Sequence, residues 1–203
     1  MATTLSIARL DSAMIRSLSS DVLASWDTAQ IVALTTSNIR GLSATQLAAF
    51  STAHISSLET EDLAALSSLQ VAGFTDGQLV NMTSAQVASF TTASIKGLST
   101  AQLNALGTAK ISALETVDVA ALLSAQFRGF STAQLQQFST AQVGSIGSAA
   151  IVGLNTVQVD ALSTTQLAAL NSVHIRGLSS TQLGAIATAK ITALETVDVF
   201  ALS

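Results

Sequence analysis

The sequence predicts an all-α solenoid of very short helices, one for every eight residues. Three observations predict it. An eight-residue period runs unbroken from Thr3 to Leu202, two positions of the period are always apolar, and its first and fourth positions carry a helix-capping pattern.

The period comes first because it overrides any division into domains. Cut from Thr3, the chain reads TTLSIARL, DSAMIRSL, SSDVLASW, DTAQIVAL and so on to ETVDVFAL. That makes 25 octads over residues 3–202 with no insertion or deletion, a single array with no separate domains. Position 5 is apolar in every octad, from Ile7 through Ile15 and Leu23 to Val199, and so is position 8, from Leu10 through Leu18 and Trp26 to Leu202. Position 7 is Ala, Gly or Ser except at Arg9, Asn81 and Gln137, and position 2 is Ser or Thr except at Ala44 and Asp76. Position 4 is most often Gln, in 12 octads, and position 6 tolerates Arg, Ala, Asp, Val and Phe. Positions 5 and 8 therefore face a core, position 7 lies where backbones approach closely, and position 6 faces solvent.

One continuous helix is excluded. Eight residues at about 100° each advance the apolar stripe by about 80° per octad, so the stripe would circle the helix. The chain must bend once per octad. Position 1 is Ser, Thr, Asp or Asn in 18 octads, the side chains that accept a bond from a helix's orphan amides. In nine octads a Ser or Thr there is followed three residues later by Gln, as in Ser43/Gln46, Ser99/Gln102 and Ser163/Gln166. That is a capping box, and the apolar residue before the cap has the spacing of a hydrophobic staple with position 5. Each octad is then a helix of one to two turns with the bend at its cap.

A β-solenoid with two octads per coil competes with this reading. Position 5 is Ile or Val in 16 octads, and A-Q-L-x alternates as a strand does. Against strands, position 8 is β-branched only at Ile146 and Ile186, and few Gly or Asn residues are available for tight corners. The hydroxyls at position 2 point either to a cap one residue later or to a hydroxyl ladder along the solenoid. A weaker recurrence of 40 residues, as in Ile15, Ile55, Ile95, Leu135 and Ile175, reads either as duplication of five-octad blocks or as five octads per superhelical turn. In both folds an octad cannot stand alone. Its two large apolar side chains contribute roughly 3–6 kcal/mol when buried, against roughly 8–16 kcal/mol of backbone entropy. Stability must come from stacking on neighbours.

Composition excludes several function classes. Hydrophobic residues are 49% and charged residues only 10%, so burial is available and disorder is disfavoured. The net charge of −4 and scattered basic residues disfavour nucleic acid, which needs clustered Lys and Arg. Cysteine is absent, so there is neither a disulfide framework nor a thiolate metal site, and the compartment stays open. The opening residues lack the basic and apolar regions of a Sec signal peptide. Ser, Thr or Gln interrupts every apolar run well short of a membrane span.

Runs such as STAQLNALGTAKISAL and STTQLAALNSVHIRGL resemble the tandem TTxQIxAL-type repeats of very large secreted bacterial proteins, often labelled adhesion or haem-utilisation-type surface proteins. The resemblance covers the whole chain. It implies an extracellular or cell-surface stalk and carries over no binding residues; the haem label finds no support in the sequence.

No catalytic, cofactor-binding or metal site is expected. His54 and His174 both occupy position 4, are 120 residues apart, and read as solvent-facing substitutes for Gln. The acidic octads hold Glu59, Glu61 and Asp62, then Glu115 and Asp118, then Glu195 and Asp198. Calcium needs six to eight oxygens at one point, so these carboxylates read as partners of helix dipoles. Arg16, Arg40, Lys96, Arg128 and Arg176 at position 6 read as solubilising charges. The many Ser and Thr residues have no local base to activate them, so an enzyme is not expected.

The expected function is structural: an extracellular spacer, or a filament-forming solenoid whose partner is a second copy joined head to tail. The first and last octads, TTLSIARL and ETVDVFAL, keep the internal apolar pattern, where solenoids normally end in polar caps. A surface-binding module acting through position 6 on a surface or polysaccharide ligand is the alternative, motivated by Val32, Val80, Val152 and Phe200 there. An ice-binding hydroxyl array is a third, and it requires the strand fold.

Overall fold

The computed structural model describes residue 7 and residues 9–194. The final octad, with Glu195, Asp198 and Phe200, and most of the first lie outside the described residues. Every regular element among the described residues is helical: 22 α-helices of four to six residues and one 3-10 turn at Ile95–Gly97, with no strand. The strand alternative therefore fails, and the ice-binding reading that depends on it fails with it.

The helices form where the capping pattern places them. In all nine Ser/Thr–Gln octads the cap side chain accepts the backbone N–H of position 4, and the Gln side chain accepts the backbone N–H of the cap. At Ala44–Ala48 these bonds are 3.1 and 2.7 Å. Asp27/Gln30 and Asn155/Gln158 make the same box. The cap is thus position 1, not position 2. At the other end the position-8 N–H returns to the position-5 carbonyl, as from Leu42 to Ile39 at 3.1 Å. The bend lies at positions 8 and 1: Leu18 has φ −69° and ψ 142°, and the cap Ser19 has φ −71° and ψ 154°.

The described chain divides into two compact units, Met1–Leu98 and Ser99–Ser203, the boundary falling between two octads. Within the first, Ser12–Ser17 packs on Thr36–Ile39, Ala44–Ala48 on Ser68–Val71, and Thr52–Ser56 on Asp76–Asn81. Within the second, Ser124–Phe127 packs on Ser148–Ile151, which packs in turn on Ser172–Gly177. In each unit a helix therefore stacks on the helix three octads later. The 40-residue recurrence is not the stacking period.

Positions 5 and 8 build the core. Position-5 side chains from Ile7 to Ile175 are at most 2% exposed, and position 8 is buried from Leu34 to Leu194. Successive position-8 rings meet inside, with Phe130 and Phe138 edge-on at 5.3 Å. Among the described residues position 6 is never buried. Position 7 meets the backbone of position 2 three octads earlier, as the sequence reading required. A Cβ on Gly41 would lie 2.2 Å from the carbonyl oxygen of Ser12, and one on Gly153 would lie 1.9 Å from that of Ser124. Arg9, Asn81 and Gln137, the larger residues at position 7, are exposed.

Candidate functional site

Position 4 is where the structure departs most from the sequence reading. Its Gln side chains are buried, most between 1% and 7% exposed, and run as a polar column inside each unit. Gln46, Gln70, Gln78, Gln86, Gln134, Gln142, Gln158, Gln166 and Gln182 use both ends of the amide. Oε1 accepts the cap N–H of its own helix, and Nε2 donates to carbonyls four octads earlier. In the first unit Gln70 donates to Ile39 and Leu42, both at 2.8 Å, and Gln78 to Leu47 and Phe50 at 2.9 and 2.7 Å. In the second, Gln142 donates to Ile111 and Leu114 at 3.0 and 2.7 Å, and Gln166 to Leu135 and Phe138 at 2.8 and 2.7 Å. The acceptors named are carbonyls of positions 5 and 8 at the ends of short helices, and the position-5 carbonyl, which already takes the position-8 N–H of its own octad, gains a second bond. One side chain thus fulfils the buried polar groups at the start of one helix and the end of another.

The histidines belong to this column and are corrected accordingly. His54 is 7% and His174 4% exposed, so neither faces solvent. His174 Nδ1 accepts the N–H of Asn171 at 3.1 Å, and its Nε2 lies 2.7 Å from the carbonyl of Ile146. Those two partners fix the neutral tautomer with the proton on Nε2. A buried imidazole held on both sides serves as a substitute Gln. His54 makes the same box, accepting the N–H of Ser51 at 3.3 Å, with its ring edge-on to Phe50.

Asn38 also fits: Oδ1 accepts the N–H of Thr35 at 2.7 Å and Nδ2 donates to the carbonyl of Leu10. Lys190 donates from Nζ to the Asp160 carbonyl and pairs with Asp160 Oδ1 at 3.6 Å. Lys110 donates to Leu106 at 3.4 Å, and burial pulls its ammonium below the usual range. Asp62 and Asp118 stand in the same column, 3% and 2% exposed. Burial, then Glu59 and Glu61, pushes the Asp62 carboxyl up to about 6. Burial, then Glu115, does the same for Asp118. Their helices begin at Glu59 and Glu115, which make no side-chain cap bond. Among the described residues no three His, Asp or Glu side chains converge as a metal site would need.

The position-6 residues named above stay on the surface, with Val32 47%, Val80 55% and Val152 46% exposed. Arg16 lies across the next coil, its Nε donating to the Gly41 carbonyl at 3.3 Å. Together with Arg40 it borders a groove of about 350 Å³ floored by Leu42, Ala44 and Gln70, beside Leu69, which is 80% exposed. Sequence reasoning missed this groove because its walls come from octads far apart in the chain.

No curated protein matches the chain. The ALTTAQ repeat family matches it five times in tandem, over residues 28–60, 55–92, 88–116, 111–147 and 144–172. These matches run through most of the octad array, and the chain belongs to the ALTTAQ repeat family.

Proposed function

We propose that this structural repeat protein works as an extracellular spacer whose copies join end to end. The observation that carries the reading is the equivalence of its octads. The Asn38 and His174 departures at position 4 still join one coil to an earlier one, and the surface repeats one short pattern. End-to-end joining would extend to a second copy the stacking seen inside each unit, where helices pack on those three octads later. Met14 and Val22, at position 4, are 52% and 44% exposed where later octads bury that position. Ile191, at position 5, is 40% exposed where interior position-5 residues are at most 2%. Head and tail faces that differ make a heterologous contact, which extends into a filament unless its rotation closes. The extracellular placement rests on the resemblance to repeats of secreted surface proteins. No helix among the described residues is long and apolar enough to cross a membrane.

Sedimentation and negative-stain microscopy over a concentration series test the proposal. Linear oligomers that grow with concentration, and that shrink when Met14 and Val22 are changed to Ser, are the expected result. A monomer at all concentrations overturns end-to-end joining. A second reading, a binding module for an acidic surface polymer, is favoured by the Arg16–Arg40 groove. Binding of an acidic polysaccharide that Arg16→Ala and Arg40→Ala together abolish would support it.

A further inference from the structure

The position-4 column is a column of donors. Opposite it, in each unit, lie carbonyls 28 and 31 residues earlier, and what meets them is Gln Nε2, Asn38 Nδ2 or His174 Nε2. Asp62 occupies the same place. The residues 31 and 28 before it are Ile31 and Leu34, whose carbonyls stand where the Gln acceptors stand in neighbouring octads. An ionised carboxylate has no proton to give them. The Asp62 side chain makes no hydrogen bond or ion pair, although the residue is only 3% exposed. No fully enclosed side-chain oxygen among the described residues lacks a partner, so the Asp62 oxygens keep a narrow contact with water.

We propose that Asp62 is a proton-operated joint between coils of the first unit. Protonated, it is isosteric with Asn38: its carbonyl oxygen accepts the cap N–H of Glu59 and its hydroxyl donates to the carbonyl of Leu34. Asn38 shows that so short a side chain reaches, since it bonds both the Thr35 N–H and the carbonyl 28 residues earlier. Ionised, Asp62 turns negative charge toward two carbonyl oxygens, and the contact loosens.

The surroundings favour the proton. Glu59 and Glu61 lie on the same helix. The helices packed on it, Thr36–Ile39 and Ser84–Ala88, contain no titratable side chain, and Arg40 at the end of the first is exposed. The helix four octads earlier, Thr28–Val32, has none either, and its cap is Asp27. The preceding helix, Thr52–Ser56, carries His54, already bonded to its own cap. A carboxyl held near 6 in the fold against an ordinary value of about 3.9 stabilises the fold fully below about pH 4, and that stability is lost as pH rises through 6.

Hydrogen-exchange mass spectrometry of the whole chain between pH 4.5 and 8, corrected for intrinsic rates, tests the joint. Peptides covering residues 27–34 and 59–66 should lose protection as pH rises through 6. The loss over that range should be about 25-fold, the part above pH 4.5 of the roughly 100-fold that a shift of about two units allows in full. Asp62→Asn and, as a second variant, Asp62→Gln should hold protection constant across that range. Glu59→Gln should lower the midpoint without removing it. Wild-type protection independent of pH, or the same profile in both Asp62 variants, overturns the proposal. Recovery at pH 8 on adding calcium chloride also overturns it, because the carboxylate would then be half of a cation site.

Discussion

Replacing Gln142 with Leu removes three hydrogen bonds while leaving an apolar side chain of similar size. The Ser139 N–H loses its 2.8 Å acceptor, and the carbonyls of Ile111 and Leu114 lose donors at 3.0 and 2.7 Å. Gln142 is 3% exposed, so water cannot readily replace those partners. Each buried group left unbonded costs about 1–3 kcal/mol. Two groups are left unbonded, the Ser139 N–H and the Leu114 carbonyl, because the Ile111 carbonyl keeps the Leu114 N–H at 3.2 Å; with the smaller loss at Ile111 the sum is expected at about 3–5 kcal/mol. With a urea slope of about 2 kcal/mol per molar, the midpoint should fall by about 1.5–2.5 M. The control is Asn104→Leu, at an exposed position 6, which should move stability by less than about 0.5 kcal/mol. Because repeat arrays can unfold in parts, exchange of the Ser139 amide should be followed beside the urea curve. Equal midpoints for the two variants would refute the claim that the column joins the coils.

Gly153→Ala should cost about 1–3 kcal/mol, because its Cβ would come 1.9 Å from the Ser124 carbonyl oxygen. Gly184→Ala, at position 6 with nothing within 4 Å, should instead gain about 0.5–1 kcal/mol from helix propensity, and thermal melts of the pair decide the assignment of inside and outside. Deleting the octad from Ser131 to Phe138 should leave a folded protein by circular dichroism, whereas deleting four residues there should not, since it shifts positions 5 and 8 out of the core. Asp118→Gln should raise stability by up to about 3 kcal/mol at pH 8 and by little at pH 4, because the wild-type carboxyl, held near 6, is destabilising only once ionised. A gain that did not depend on pH would contradict the burial argument.

What was legible in the sequence is what an octad settles within itself. The cap at Ser43 and the box with Gln46 span three residues. The core role of Ile55 and Leu58 follows from their invariant apolar character. The small residues at position 7 announced a close approach without saying to what. What was not legible is the offset at which octads meet. Gln70 was read only as half of a capping box, because its other partners, Ile39 and Leu42, lie 31 and 28 residues away. His54 and His174 were placed in solvent for the same reason. A signal was present: glycines at position 7 fall at 41, 73, 97, 129, 153 and 177, spaced by three or four octads. Those are the two offsets the fold uses, one for helix stacking and one for the amide column. Four of the five basic residues at position 6 follow the same rhythm. Arg40, Lys96, Arg128 and Arg176 each stand immediately before one of these glycines.

The account turns on buried glutamine amides that tie each coil to an earlier one. Their side-chain protons are directly observable by nuclear magnetic resonance. Exchange of the Nε2 protons should be strongly slowed at Gln70, Gln78, Gln86, Gln142, Gln158 and Gln166, each of which bonds two carbonyls. The exposed Gln137 should exchange at close to the rate of a free amide, and the exposed Gln136, with a single bond to the Ala161 carbonyl at 3.3 Å, much faster than those six. Uniformly fast exchange at all eight, in a protein that remains helical, would contradict the account.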